Sequence, residues 1–85
     1  MNIYEQLGKR ISYLRKTKKK SQLTLSLDAG VNKNYISDLE RGRRNPSLMV
    51  LSRIATALDV DLSTLLQGIQ EYSIEDIIST VNSIK

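Results

Sequence analysis

Lys33, Asn34, Ser37, Asp38 and Arg41 fall on one side of a helix if the segment from Lys33 to Arg41 is wound at about 100° per residue. Tyr35, Ile36 and Leu39 fall on the other side, within an arc of about 100°, and read as its core face. The outer side is polar, short-chained at Asn34 and Ser37, and rich in groups that both donate and accept hydrogen bonds. This is the chemistry needed to read base edges in a major groove, which admits one α-helix. The same pattern describes an ordinary solvated helix face, so the residues alone leave both readings open. Other chemistries are poorly served. The chain has no His and no Cys, which removes the commonest general base, the commonest metal ligand and any thiolate. With no Gly-rich phosphate loop and no metal-ligand cluster, the expectation is no enzyme, no metal and no cofactor.

The elements that must position these residues are all helical. Ile3, Leu7, Ile11 and Leu14 recur at helical spacing and predict a first helix to about Lys16, ended by the basic run Arg15 to Lys20. Ser21 is a candidate N-cap for a helix from Gln22 to Asp28 with Leu25 facing inward. Ala29-Gly30-Val31 is a tight exit whose central Gly supports left-handed backbone. Asn32 then caps the helix Lys33 to Arg41, which Gly42 stops, and Arg43 to Pro46 forms a basic turn. Ser47 caps a fourth helix with Leu48, Leu51, Ile54, Ala55 and Leu58 along one stripe, and Asp61 caps a short fifth with Leu62, Leu65 and Leu66. Gly68 to Tyr72 reads as a linker. Ser73 and Asp76 resemble a capping box opening a last helix with Ile74, Ile77, Ile78, Val81 and Ile84. The fold expected is all-α, a compact bundle of five to six helices.

Eighty-five residues make one small domain. A chain of this size buries only about 60–65% of its unfolded surface, which favours help from a partner subunit. Its charge is unevenly placed. Residues 1–58 hold 12 basic against 4 acidic side chains, a balance of +8, whereas residues 59–85 hold 1 against 5, a balance of −4. A basic body with an acidic end suits one surface that meets a polyanion and another that does not. No apolar run approaches the ~20 residues of a membrane span, and the N-terminus lacks a signal peptide's pattern, so a cytoplasmic location is expected.

The order helix, three-residue turn with a central Gly, helix raises the DNA reading. Leu14-Arg15, Ser21-Gln22, Ala29-Gly30-Val31, Tyr35-Ile36-Ser37, Leu39-Glu40-Arg41-Gly42 and Asn45-Pro46-Ser47, taken together, resemble the Cro/repressor-type helix-turn-helix family, also called the XRE family. The resemblance covers roughly residues 7–66 and implies a fold of the lambda-repressor-like DNA-binding type. It implies that helix Gln22–Asp28 lies across the DNA backbone while helix Lys33–Arg41 enters the major groove. Gln22 matches a glutamine that contacts phosphate and braces the recognition helix. Lys33, Asn34, Ser37 and Asp38 match positions that face bases, where Lys33 suits guanine, Asn34 adenine and Asp38 cytosine. Asp38 also repels phosphates, and its alternative role is pairing with Lys33 or Arg41. Tyr35 combines a core-facing ring with a hydroxyl that can reach phosphate. Arg43, Arg44 and Asn45 match positions on the sugar-phosphate backbone, and Lys18, Lys19 and Lys20 either join them or form a solvated loop. Asn32 and Arg41, at the two ends of the recognition helix, complete the candidate DNA-binding set. Arg15 and Glu40 match a structural ion pair between the first and third helices.

The sequence departs from the family at three places. Lys19 and Lys20 stand where a Gly and an apolar residue are common, Ser26 replaces a small Ala, and Leu23 and Leu27 fall where polar residues are frequent. The expected organisation is a DNA-binding domain over residues 1–67, then a linker and C-terminal amphipathic helix over residues 68–85. The family's two-fold dimers imply a homodimer here, with residues 61–85 as the natural interface. The final helix either joins a neighbour or covers its own core. The resulting expectation is a sequence-specific double-stranded DNA-binding transcriptional regulator. The competing reading is a protein-interaction module, such as an antitoxin or regulatory subunit, on the same fold. Phage or plasmid repressor, chromosomal regulator and restriction–modification controller are all compatible settings, and the operator and the sign of regulation stay open.

Overall fold

The computed structural model describes residues 1–71 and 74–84, and every regular element among them is a helix. In chain order these are α1 (Ile3–Thr17), α2 (Gln22–Ala29), α3 (Lys33–Glu40), α4 (Leu48–Ala57), α5 (Leu62–Leu65) and α6 (Ile74–Ile84). The first five open on a side-chain cap. Asn2, Ser21, Asn32, Ser47 and Asp61 sit in extended backbone, and each side-chain oxygen accepts an N–H two or three residues ahead. The four caps from Ser21 onward match the sequence reading. The first adds an unforeseen capping box, with Glu5 N–H donating to Asn2 Oδ1 at 2.9 Å and Asn2 N–H to Glu5 Oε1 at 3.1 Å. The capping box expected of Ser73 and Asp76 lies outside the described residues.

The first four helices share one kind of exit. Lys19, Gly30, Gly42 and Asp59 each take positive φ. The next N–H then reaches back five residues, Lys20 to Arg15 at 3.0 Å, Val31 to Ser26 at 3.0 Å, Arg43 to Asp38 at 2.9 Å and Val60 to Ala55 at 3.0 Å. These Schellman exits satisfy carbonyls the helix would otherwise orphan. Gly30 and Gly42 take φ values of 69° and 78° without the Cβ penalty that Lys19 and Asp59 carry at 57°. Two helix ends differ slightly from the sequence reading. α2 runs one residue further, to Ala29, and α3 stops at Glu40, leaving Arg41 as its C-cap at φ −87° and ψ 0°.

The core is built where these helices meet. Leu7, Ile11 and Leu14 from α1, Leu25 and Ala29 from α2, Ile36 and Leu39 from α3, Ile54 and Ala55 from α4, with Leu58 and Leu65, are all buried. α3 packs between α1 and α2, α2 also packs on α4, and α5 closes against α1 and α4. The approach of α1 to the end of α3 is unusually close. A Cβ placed on Gly8 would lie 2.5 Å from the carbonyl oxygens of both Leu39 and Glu40. Arg10 fastens α1 to α5 by donating from Nε at 3.2 Å and from a terminal nitrogen at 2.8 Å to the Thr64 carbonyl. Leu48 corrects the expected α4 stripe. It is the first residue of the helix and is 69% exposed, because the opening turn projects past the core and Val50 and Leu51 pack there instead. None of the described helices is long and apolar enough to cross a membrane.

On α6 the described aliphatic side chains Ile74, Ile77, Ile78 and Val81 are exposed rather than packed on the helical core. Their spacing of three, one and three residues sets them on one face. Of the two roles open for the last helix, covering its own core is not what these four side chains do.

Candidate nucleic-acid interface

α2 and α3 meet through the turn Gly30-Val31-Asn32, and their relative setting is fixed from both ends. At the start of α3, Asn32 Oδ1 accepts from Asn34 N–H at 2.7 Å. Its carbonyl oxygen is thereby committed to the cap while its amide NH2 is not. At the other end, Arg15 from α1 reaches the last residue of α3. Arg15 Nε donates to Glu40 Oε2 at 2.7 Å and its terminal nitrogen to Oε1 at 3.0 Å, a two-pronged pair with only 11% and 7% of the two side chains exposed. A third guanidinium bond runs to the Lys20 carbonyl at 2.8 Å. The hydrogen bond to Glu40 leads the causes that raise the Arg15 pKa above its ordinary value, so this guanidinium is firmly cationic. Gln22 Nε2 donates to Glu40 Oε1 at 3.1 Å. The first residue of α2 is thus joined to the last of α3 through the buried carboxylate.

With Tyr35, Ile36 and Leu39 turned inward, the other side of α3 faces solvent. Ile36 and Leu39 are fully buried and Tyr35 is half-buried. Lys33 and Asn34 are exposed, and Ser37 and Asp38, one turn on, are half-buried. Arg41, Arg43, Arg44 and Asn45 continue this surface and are exposed, as is Asn32. Apart from the inward-turned Tyr35, the sequence-derived candidates on α3 and its flanking turns are exposed or half-buried. Gln22, on α2, is half-buried with its amide on Glu40. None is sealed in the core.

The polar groups on this face are already organised among themselves. Arg41 donates to Ser37 Oγ at 2.7 Å and lies 3.9 Å from Asp38 Oδ1. Arg44 donates to Asp38 Oδ2 at 3.3 Å, and its guanidinium carbon sits 5.4 Å from the centre of the Tyr35 ring. Asp38 therefore pairs with Arg41 and Arg44. Lys33, the other partner considered from sequence, is five residues earlier and about 140° round the helix, outside the spacing at which side chains meet. The Arg44 contact was not legible, because it depends on the Gly42 exit that folds the turn back beside Asp38. Among the described residues Lys33 and Arg43 carry no ion pair.

The basic run before α2 divides. Lys18 and Lys19 are exposed, whereas Lys20 is half-buried, with Nζ on Asp28 Oδ2 at 2.8 Å and on the Ala57 carbonyl. Its charge ends on two acceptors of the same chain. Lys20 is a tie between α2 and the end of α4. Leu23 and Leu27 are 51% and 72% exposed, as their unusual positions suggested.

Known proteins are similar to this chain in sequence and in fold. The immunity repressor protein of Bacillus phage phi105 is 39% identical over 59 residues, which is 69% of this chain and 41% of that protein. The transcriptional regulator SinR of Bacillus subtilis is 43% identical over 61 residues, 71% of this chain and 55% of that protein. The chain thus spans about half the length of these two relatives, 41% and 55%. Among solved structures, the restriction-modification controller protein C.AhdI of Aeromonas hydrophila superposes with a TM-score of 0.72 at 39% identity, covering 73% of this chain and 94% of that one. A family model described as helix-turn-helix matches residues 11–65, from the middle of α1 through α5, and the chain belongs to that family, in the Cro/repressor-type branch its sequence resembles.

Proposed function

We propose that this protein is a transcriptional regulator that binds double-stranded DNA sequence-specifically as a homodimer in the cytoplasm, with α3 in the major groove. The observation that carries the reading is the outer face of α3. Lys33 and Asn34 project from its first turn, where a recognition helix contacts base edges, and Ser37 follows one turn later. Arg41, Arg43, Arg44 and Asn45 flank that face with groups suited to phosphate, which position a protein without reading sequence. Gln22, Asn32 and the Tyr35 hydroxyl are further backbone contacts at its edge. Residues 1–67 form the DNA-binding domain in this account, and residues 68–85 follow it, tied to it at their start by Ile69 on the core and by Gln6 donating to the Gln70 carbonyl at 3.1 Å.

The homodimer uses residues 61–85. The stripe Ile74, Ile77, Ile78 and Val81 is exposed in the single chain and spaced to pair with the same stripe of a second copy. Two recognition helices related by a two-fold axis read half-sites about 10–10.5 base pairs apart. Selection of duplexes from a random pool, repeated at several salt concentrations, tests the whole reading. The expected result is an inverted repeat at that spacing, with affinity falling steeply as salt rises. Equal affinity for all duplexes with a flat salt response would instead support a protein-interaction module.

A further inference from the structure

Asp38 is the one carboxylate on the outer face of α3, and its charge has the wrong sign for a surface that meets DNA. Its two oxygens lie 3.3 Å from an Arg44 nitrogen and 3.9 Å from an Arg41 nitrogen. Both arginines are folded back onto the recognition helix. Arg41 is further held by Ser37 at 2.7 Å, and Arg44 lies over Tyr35 at 5.4 Å. About half of each arginine side chain is still exposed, 56% for Arg41 and 50% for Arg44, so neither is sequestered from a ligand. Two oxygens sharing a negative charge between two guanidinium groups imitate what a DNA phosphate would offer them.

We propose that Asp38 is an internal counter-ion that occupies Arg41 and Arg44 in the free protein and suppresses sequence-independent attachment to DNA. The inference rests on the DNA-binding reading above. Non-specific affinity comes almost wholly from cation–phosphate contacts. Holding two of those cations on Asp38 therefore lowers affinity for every duplex. A specific site, with its added base contacts, holds α3 in the groove and draws the arginines onto phosphate. Asp38 is in this sense a specificity-determining residue that reads no base. Two exposed ion pairs correspond together to about 3- to 20-fold in affinity.

Asp38→Asn tests this, because it keeps the shape and removes the charge. Binding is measured to a scrambled-sequence duplex and to the selected duplex, at about 50 and about 200 mM salt. The expected result is a rise of about 3- to 20-fold for the scrambled duplex, a smaller rise for the selected one, and a salt slope steeper by about 1. The same substitution in an Arg41→Ala/Arg44→Ala background separates the mechanism from simple repulsion between Asp38 and phosphate. There the gain is expected to fall by at least half. A full gain in that background overturns the counter-ion role. Unchanged scrambled-duplex affinity with a preference lost at one base pair overturns it too, and assigns Asp38 to base reading. If the wild-type protein binds no duplex at low salt, the DNA-binding reading fails and takes this inference with it.

Discussion

Removing the Glu40 carboxylate should cost this domain most of its stability, and the size of the loss follows from the pair's burial. Glu40 accepts two bonds from Arg15, at 2.7 and 3.0 Å, and one from Gln22 at 3.1 Å. In Glu40→Ala the Arg15 guanidinium keeps the Lys20 carbonyl but stays where only 11% of its side chain reaches solvent. An uncompensated buried charge of this kind costs about 3–5 kcal/mol. Small domains hold roughly 5–15 kcal/mol in all, and a chain this short sits toward the lower end. The assay is urea unfolding followed by circular dichroism, with the midpoint read at constant slope. Glu40→Ala should lose about 3–5 kcal/mol, whereas Arg15→Met/Glu40→Leu, which removes both charges, should lose little or even gain. A loss below about 1 kcal/mol for Glu40→Ala is what a solvated pair would give, and it would refute the assignment of Glu40 as a structural tie.

Other outcomes follow from single contacts. Gly8→Ala should destabilise by about 1–3 kcal/mol in the same unfolding assay, because its Cβ would meet the Leu39 and Glu40 carbonyl oxygens at 2.5 Å. Wild-type stability in that variant would show that α1 and α3 are set further apart. Lys19→Gly should stabilise by about 0.5–1 kcal/mol by removing a Cβ from left-handed backbone, seen as a melting temperature raised by a few degrees, while no gain would mean Lys19 does not hold φ 57° in solution. Asp61 caps α5, and its bonds from the Thr64 N–H and Ser63 hydroxyl hold its pKa below the ordinary 3.8. A lowered folded-state value means the contribution is complete above the ordinary value and is lost as pH falls through the folded one. Acid unfolding of Asp61→Asn should therefore fall less steeply below pH 3.8 than that of the wild type. An identical acid limb in the two proteins would remove Asp61 from the account.

Much of the fold was legible because its signals are local. Ser21, Asn32, Ser47 and Asp61 are caps by residue type, and Gly30 and Gly42 mark exits by their tolerance of positive φ. The split of α3 into an inward Ile36–Leu39 side and an outward Lys33–Asn34–Ser37 side follows from helical period alone. What stayed hidden depends on distant partners. Nothing in the spacing of Lys20 announces that its charge ends at Asp28 and at the carbonyl of Ala57, 37 residues away. Arg44 could be assigned to phosphate from sequence, but its return to Asp38 and Tyr35 requires the Gly42 exit in three dimensions. Gly8 looks like a weak point in a helix until the closeness of α3 is known. Leu48 misled for a related reason, since periodicity cannot say which end of a stripe overhangs the core.

The central claim is that the outer face of α3 reads DNA sequence, and Asn34 is its exposed residue best suited to a base edge. The most direct measurement compares duplexes selected from a random pool by the wild-type protein and by Asn34→Ala. The account predicts a two-fold symmetric site in which Asn34→Ala loses preference at one or two adjacent base pairs per half-site, at about 1–3 kcal/mol each, with the remaining positions intact. An unchanged selected site, or a wild-type protein that selects no site at all, would contradict it.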